Sequence, residues 1–139
     1  MRVLVDTSVW IDFFNGHPSP EAEILAGLIE DEVELLTCGV VVAEFMQGIR
    51  DKKALERLEF HFRDMDWLTP EEPQTYLSAA ELYRRLRAQG ITIRSTIDCL
   101  IAVLAQDHGA FLLAKDRDMR LIVESGLLEV REFPLLQHQ

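Results

Sequence analysis

The sequence predicts an α/β fold, a doubly wound parallel sheet with helices on both faces, in other words an α/β/α sandwich. Two short apolar runs carry this prediction, Val3-Leu4-Val5 and Ala110-Phe111-Leu112-Leu113-Ala114. Each is apolar at successive positions, so both faces of the strand must be covered, as in a parallel sheet buried under helices. A third observation agrees: short strands alternate with amphipathic stretches long enough to serve as right-handed crossovers. At 139 residues, 48% hydrophobic and 27% charged, the chain has the make-up of one ordinary globular domain, read here as 1–139.

Taken in order, the first strand ends on Asp6. A helix follows from Thr7 to Asn15, with Val9, Trp10, Phe13 and Phe14 at helical spacing and expected in the core, and Asn15-Gly16 stops it. Ser19-Pro20-Glu21 opens a second helix with an N-cap serine and a first-turn proline, and Ile24, Leu25, Leu28 and Ile29 form its apolar stripe. Glu34 to Cys38 reads as a strand, after which Gly39 turns the chain. Val40 to Arg50 reads as a helix despite three consecutive valines, Lys52 to Met65 as a charged helix, and Asp66-Trp67-Leu68 as a brief strand. Thr69 and Glu72 match a capping box for a helix running to Gln89, with Tyr76, Ala80, Tyr83 and Leu86 as its apolar stripe. A helix from Ser95 carries Ile97, Leu100, Ile101, Val103, Leu104 and Ala105, apolar on most sides and so expected to be buried. After the strand at 110–114, a short helix runs through Met119, Leu121, Ile122 and Val123 to Gly126. Leu128 to Arg131 makes the last strand, before a tail that includes Pro134.

The bulk charge excludes some functions. Against 14 bases stand 24 acids, a formal net charge of −10, so charge alone will not bind nucleic acid indiscriminately. Acids gathered around divalent cations would reverse that sign locally. Cys38 and Cys99 lie inside apolar runs, as buried reduced thiols do. There is no signal-peptide pattern and no apolar run of membrane-spanning length, so a cytoplasmic location is expected.

Four acids stand out. Asp6 and Asp116 each sit between a strand and a helix, where a helix cap is the plain reading. Asp98 completes a Ser95-x-x-Asp98 capping box, and Asp118 reads as a solvated first-turn residue. Glu44 resists such readings. It lies within Val-Val-Val-Ala-Glu-Phe-Met, in a helix expected to be largely buried, and no base lies one turn away. A long-range partner, a base or a metal ion, is therefore expected. Asp6 and Asp116 end strands, while Glu44 and Asp98 lie early in helices, so all four can converge at the carboxyl edge of the sheet. Clustered carboxylates need protons or cations, and oxygen-only ligands suit Mg²⁺ or Mn²⁺. His17, His61, His108 and His138 are scattered without zinc-ligand spacing. Metal-assisted hydrolysis at phosphorus fits this set, with Thr7 or Ser8 holding an acid or a water in place.

These segments carry a resemblance. Val-Leu-Val-Asp6-Thr7-Ser8 with Trp10, then Ala43-Glu44, then Ser95-Thr96-Ile97-Asp98-Cys99-Leu100-Ile101-Ala102, then Leu112-Leu113-Ala114-Lys115-Asp116-Arg117-Asp118, resemble the ordered motifs of PIN-domain nucleases. Their form is similar to the VapC toxins of VapBC toxin–antitoxin systems, over nearly the whole chain. The resemblance implies a PIN-like fold and an endoribonuclease using Mg²⁺ or Mn²⁺. It implies Asp6, Glu44, Asp98 and Asp116 as catalytic, metal-binding acids, with Thr7, Ser8 and Asp118 in support. It also implies an RNA substrate, a VapB-like antitoxin that covers the site, and a homodimer. Ala114 stands where a threonine is common and Met119 where a phenylalanine is common, which puts one supporting hydrogen bond in question.

Among the bases, Arg84, Arg85, Arg87 and Arg94 flank the Asp98 helix and Lys115 and Arg117 flank Asp116, so all are candidates for RNA phosphate contacts, with Arg94 the best of them. Arg84, Arg85 and Arg87 make a basic helix face, with Arg84 and Arg85 read as solvated residues paired with Glu81. Other classes fit less well. A haloacid-dehalogenase-like phosphohydrolase needs Asp-x-Asp, and position 8 is Ser; a receiver domain needs an acidic pair, and Val5 and Thr7 flank Asp6. A silent binding module whose acids are caps, and a PIN nuclease with an RNA-processing role outside toxin–antitoxin pairs, are the remaining alternatives.

Overall fold

Residues 1–133 are described by a computed structural model of the chain; Pro134 and His138 lie outside them. Five strands, β1 (Arg2–Val5), β2 (Glu34–Cys38), β3 (Asp66–Leu68), β4 (Phe111–Leu113) and β5 (Arg131–Glu132), form one sheet in the order β3-β2-β1-β4-β5, and every pairing is parallel. Seven helices connect them: α1 (Thr7–Asn15), α2 (Pro20–Glu30), α3 (Gly39–Met46), α4 (Lys52–Arg63), α5 (Gln74–Ala88), α6 (Thr96–Asp107) and α7 (Arg117–Glu124). This is the doubly wound α/β sandwich expected from the two apolar runs.

β1 lies at the centre because, after Arg2, it has no polar side chain to offer solvent: Val3, Leu4 and Val5 are fully buried. The chain first builds outward from β1 through β2 to β3, then returns through α5 and α6 to place β4 on the other side of β1. The strand order thus reverses between β1 and β4, and the crevice beyond their carboxyl ends is where such sheets take ligands. Val5 pairs with Leu113, and the Asp6 N–H extends the ladder by donating to the Leu113 carbonyl at 2.9 Å. In α6, every residue from Cys99 to Ala105 is buried, which explains its apolar circumference. The helix packs against α5, α7 and β4 and brings Asp98, in its first turn, toward the switch point. Cys38 and Cys99 are free buried thiols, as expected.

Several elements differ from the sequence expectation. The helix expected from Thr69 begins at Gln74, and no Thr69 to Glu72 capping box forms. Pro73 is the reason: it lacks an N–H and steers Glu72 away from helical backbone, and the turn is closed instead by Glu71 N–H donating to Thr75 Oγ1 at 2.8 Å. The buried stripe of α5 is Thr75, Ala79, Leu82 and Leu86, rotated from the expected one, and leaves Tyr76 and Leu77 exposed. Gly39 does not turn the chain but starts α3, which ends at Met46, before Gly48 and well short of Arg50. β5 is only two residues long and lies beyond Leu128, whose side chain packs on the core. Trp10 is fully buried as expected, whereas Phe14, stacked on it at 5.7 Å between ring centroids, remains partly exposed.

Candidate active site

Asp6, Glu44, Asp98 and Asp116 all line one open cleft of about 440 Å³ beyond the carboxyl ends of β1 and β4. Thr7, Ser8, Lys115 and Arg117 line it too. The four acids picked out in the sequence are therefore brought together, from the ends of two strands and the early turns of two helices.

Each acid is held differently. Asp6 occupies the N-cap position of α1 with extended backbone, yet its side chain makes no capping bond. It is 4% exposed, and burial pushes its carboxyl up to about 6; the Thr7 amide pulls it partly back, and the charges of Asp116 and Glu44 add to the rise. Asp98 also does not act as the box was read. Ser95 Oγ accepts from the Ile97 N–H at 3.1 Å, but the Asp98 carboxylate turns toward its fellow acids. Burial, then the charge of Asp6 and the contacts with Asp116, push it up to about 8. Asp116 does cap α7, accepting from the Asp118 N–H at 3.4 Å, so capping and membership of the cluster coexist there.

Glu44 departs from expectation in its burial and in its partner, which among the described residues is not a base but Thr7, one of the two residues expected to hold an acid in place. The helix that carries Glu44 is half-exposed, with only Val41 and Phe45 buried, so the carboxylate is not immersed in apolar surroundings. Its long-range partner is the hydroxyl of Thr7, which donates to Glu44 Oε1 at 3.0 Å. Ser8 Oγ, two positions after Asp6, is buried with no hydrogen-bond partner among the described residues.

Asp118 is the clearest departure from the sequence reading. It is 2% exposed rather than solvated, and its Oδ2 accepts from the Arg94 amide at 3.0 Å and from Arg94 Nε at 3.1 Å. These bonds hold its carboxyl below the usual range. The same guanidinium reaches Asp116 Oδ1 at 3.2 Å through Nη2, although the Arg94 side chain is 80% exposed. Lys115 is tied as well: its Nζ donates to Asp12 at 2.6 Å, and that bond lowers the pKa of a carboxyl that is itself buried. Arg117 forms no ion pair among the described residues. The pairing of Asp12 with Lys115, and that of Asp118, named above as a supporting residue, with Arg94, were not foreseen because the partners lie far away in sequence. The only local signal for Asp12 was an acid between Trp10 and Phe13 on an apolar helix.

The donor set fits a divalent cation. Carboxylate oxygens from Asp98, Asp116 and Asp118 lie within 4.8 Å of one another, a spacing that oxygen-loving ions with bonds of about 2.0–2.6 Å can bridge. Asp6, Glu44 and Asp98 have no cationic partner among the described residues, and burial first, then the neighbouring charges, make Asp6 and Asp98 hold their protons to higher pH than an ordinary carboxyl. Added positive charge would relieve the repulsion among them.

The chain matches the family model of the PIN domain over residues 3–124. It is 32% identical to Ribonuclease VapC11 of Mycobacterium tuberculosis over 132 residues, 94% of this chain and 98% of the relative. A VapC ribonuclease of Mycobacterium bovis is similar to the same degree. Among solved structures, VapBC-1 from nontypeable Haemophilus influenzae superposes with a TM-score of 0.68 at 21% identity, covering 95% of this chain and 98% of that one. FitAcB from Neisseria gonorrhoeae does so at 0.67 and 18%, covering 95% and 96%. These two likenesses are of fold.

Proposed function

The chain belongs to the PIN-domain family, in its VapC ribonuclease branch, and from that premise we propose that it is a divalent-metal-dependent endoribonuclease, the toxin of a toxin–antitoxin pair. One observation carries the reading: four acids distant in sequence meet in a single cleft at the switch point of the sheet, and two of them, Asp6 and Asp98, have carboxyl pKa values raised by burial and by neighbouring acids.

In this proposal Asp6, Glu44, Asp98 and Asp116 hold Mg²⁺ or Mn²⁺. When bound, such an ion supplies Lewis-acid polarisation of the phosphodiester and acidifies water for attack. The protein does the rest. Thr7 fixes the carboxylate of Glu44 through its hydroxyl, so that acid reaches the cleft in one orientation. Ser8 Oγ, lacking a partner, is free to donate to a water or an acid at the floor of the cleft. Arg94 and Asp118 lock the start of α7 against the approach to α6, which sets Asp116 and Asp98 side by side. Arg117, and Lys115 from its tether on Asp12, present positive charge at the rim, where an RNA strand passes. The reading in which the acids are only helix caps is weakened by Asp6 and Asp98, whose carboxylates make no capping bond.

The toxin part of the proposal is supported by relatives named VapC ribonucleases and by structural neighbours that are VapBC assemblies. A VapB-like antitoxin covering the cleft, and a homodimer, belong to the same proposal. No described helix is long and apolar enough to cross a membrane. The test is cleavage of RNA by wild type and Asp6→Asn with Mg²⁺, with Mn²⁺ and with EDTA. Cleavage confined to wild type with metal is expected, and equal cleavage under all conditions would sink the mechanism.

A further inference from the structure

The outer face of α5 carries an open groove of about 780 Å³, larger than the acidic cleft, and nothing in the proposed chemistry uses it. Arg84, Arg85 and Arg87 line it together with the single acid Glu81, over a floor that includes Leu77 and Ala80. This face lies opposite the buried stripe of Thr75, Ala79, Leu82 and Leu86. The pairs of Glu81 with Arg84 and Arg85 expected from i,i+3 and i,i+4 spacing do not form, and none of the three arginines has an ion-pair partner among the described residues. Three of the chain's 14 bases thus stand unneutralised within four residues, on a protein of net charge −10.

Position gives this patch a meaning. α5 and α6 pack together and are joined by the short connection 89–95, so the C-terminal turn of α5 lies at the end of the pair where α6 begins with Asp98. Seven residues of connection reach at most about 25 Å, which about seven nucleotides span at the ~3.4 Å rise of a helical strand. Arg94, in that connection, is 80% exposed and already touches Asp116. The connection that carries Arg94 to the cleft thus starts at the end of α5 that bears Arg84, Arg85 and Arg87.

We propose that the arginine face of α5 is an RNA-binding track that holds the strand several nucleotides from the bond being cut. The inference rests on the ribonuclease reading. An RNA approaching a chain of this net charge meets overall repulsion, so its hold must come from a local cationic surface. Arginine suits single-stranded RNA in particular, because its plane pairs with phosphate and stacks on bases, and the aliphatic floor of Leu77 and Ala80 leaves room for a base. A protein partner for the same face is the competing occupant.

The experiment compares wild type with the triple variant Arg84→Gln, Arg85→Gln, Arg87→Gln on a pentaribonucleotide and on an RNA of about 20 nucleotides. In the triple variant KM for the long RNA rises about tenfold, while kcat on both and KM for the short one stay unchanged. In EDTA, the slope of log affinity for the long RNA against log salt falls by about 2, at roughly 0.7 for each lost contact on a single strand. The triple Arg→Lys variant restores most of both. An unchanged slope with unchanged length dependence overturns the track, and an unchanged slope with an altered sedimentation mass assigns the face to a protein partner instead. A wild type that binds the long RNA with the expected slope yet cleaves neither RNA with Mg²⁺ keeps the track and overturns the nuclease reading.

Discussion

Two strands of this sheet end alike and are treated in opposite ways. β1 ends on Asp6 and the β4 segment on Asp116, each at the N-cap of the following helix. On the β4 side the charge is met: Arg94 binds both Asp116 and the buried Asp118, and the pKa of Asp118 falls. On the β1 side it is not met. Asp6 and its neighbour Asp98 have no cation among the described residues, and theirs rise to about 6 and about 8. The difference shows that backbone position alone does not tune a carboxylate. One arm is pre-organised by a guanidinium, while the other keeps the repulsion that a bound ion would relieve.

The largest expected effect comes from removing the acid common to both arms. Asp98→Asn should lower RNA cleavage on the order of 10³-fold, several kcal/mol of transition-state stabilisation. In metal-free protein at pH 8 it should raise the melting temperature, because a like charge has gone. Activity and stability thus move in opposite directions, and a fall in both would show that Asp98 is structural. The same logic predicts the pH dependence of the metal-free wild type. Asp6 and Asp98 hold protons to higher pH in the folded chain than at their ordinary 3.8. Between about pH 4 and 8 the folded state therefore binds more protons than the unfolded one, so stability falls as pH rises through that window. Melting followed in EDTA should show a decline of about 5 °C or more from pH 5 to pH 8, which saturating Mn²⁺ flattens. A pH-independent midpoint would mean that the two acids are not mutually strained.

The comparison also explains what was legible in the sequence. The β1 side could be read almost whole: three buried aliphatic residues ending on an acid specify a central parallel strand and place its carboxylate at the crevice, whatever the rest of the fold does. The position of Asp116 followed by the same logic, and the helical spacing of α6 fixed the place of Asp98. The β4 side was legible only in part, because its electrostatics depend on Arg94, which is 24 residues from Asp118 and was expected to face RNA alone. The unburied stripe of α5 has a similar cause. Tyr76 and Leu77 fit a helical period as well as Thr75 and Ala79 do, and only the late start imposed by Pro73 and the packing on α6 decide between them.

A smaller effect probes the pre-organised arm. Arg94→Gln should leave the Asp118 carboxylate with only the backbone N–H of residue 94, lower the melting temperature by about 3 °C, and be partly relieved by Asp118→Asn in the same chain. Additive losses in the double variant would show that the two residues do not act as a pair. The carboxyl of Asp118 should also titrate higher once its guanidinium partner is gone, which carbon-detected NMR of the side chain would read directly.

The smallest expected effect isolates orientation from charge. Thr7→Val keeps the shape of the side chain and removes only the hydroxyl that donates to Glu44 Oε1. A half-buried hydrogen bond to a carboxylate that solvent can still reach contributes about 0.5–1.5 kcal/mol, so stability should change little. Catalysis depends on where the Glu44 oxygen points, and loss of a group that orients a metal-binding side chain typically costs about 10–100-fold in metal affinity or activity. Thr7→Val should therefore weaken Mn²⁺ binding and cleavage about tenfold with a nearly unchanged melting temperature, and Thr7→Ser should restore both. If valine and serine behave alike, the hydroxyl does not position Glu44, and the β1 arm contributes only the charge of its acids, with no orienting contact to match the one that Arg94 provides across the cleft.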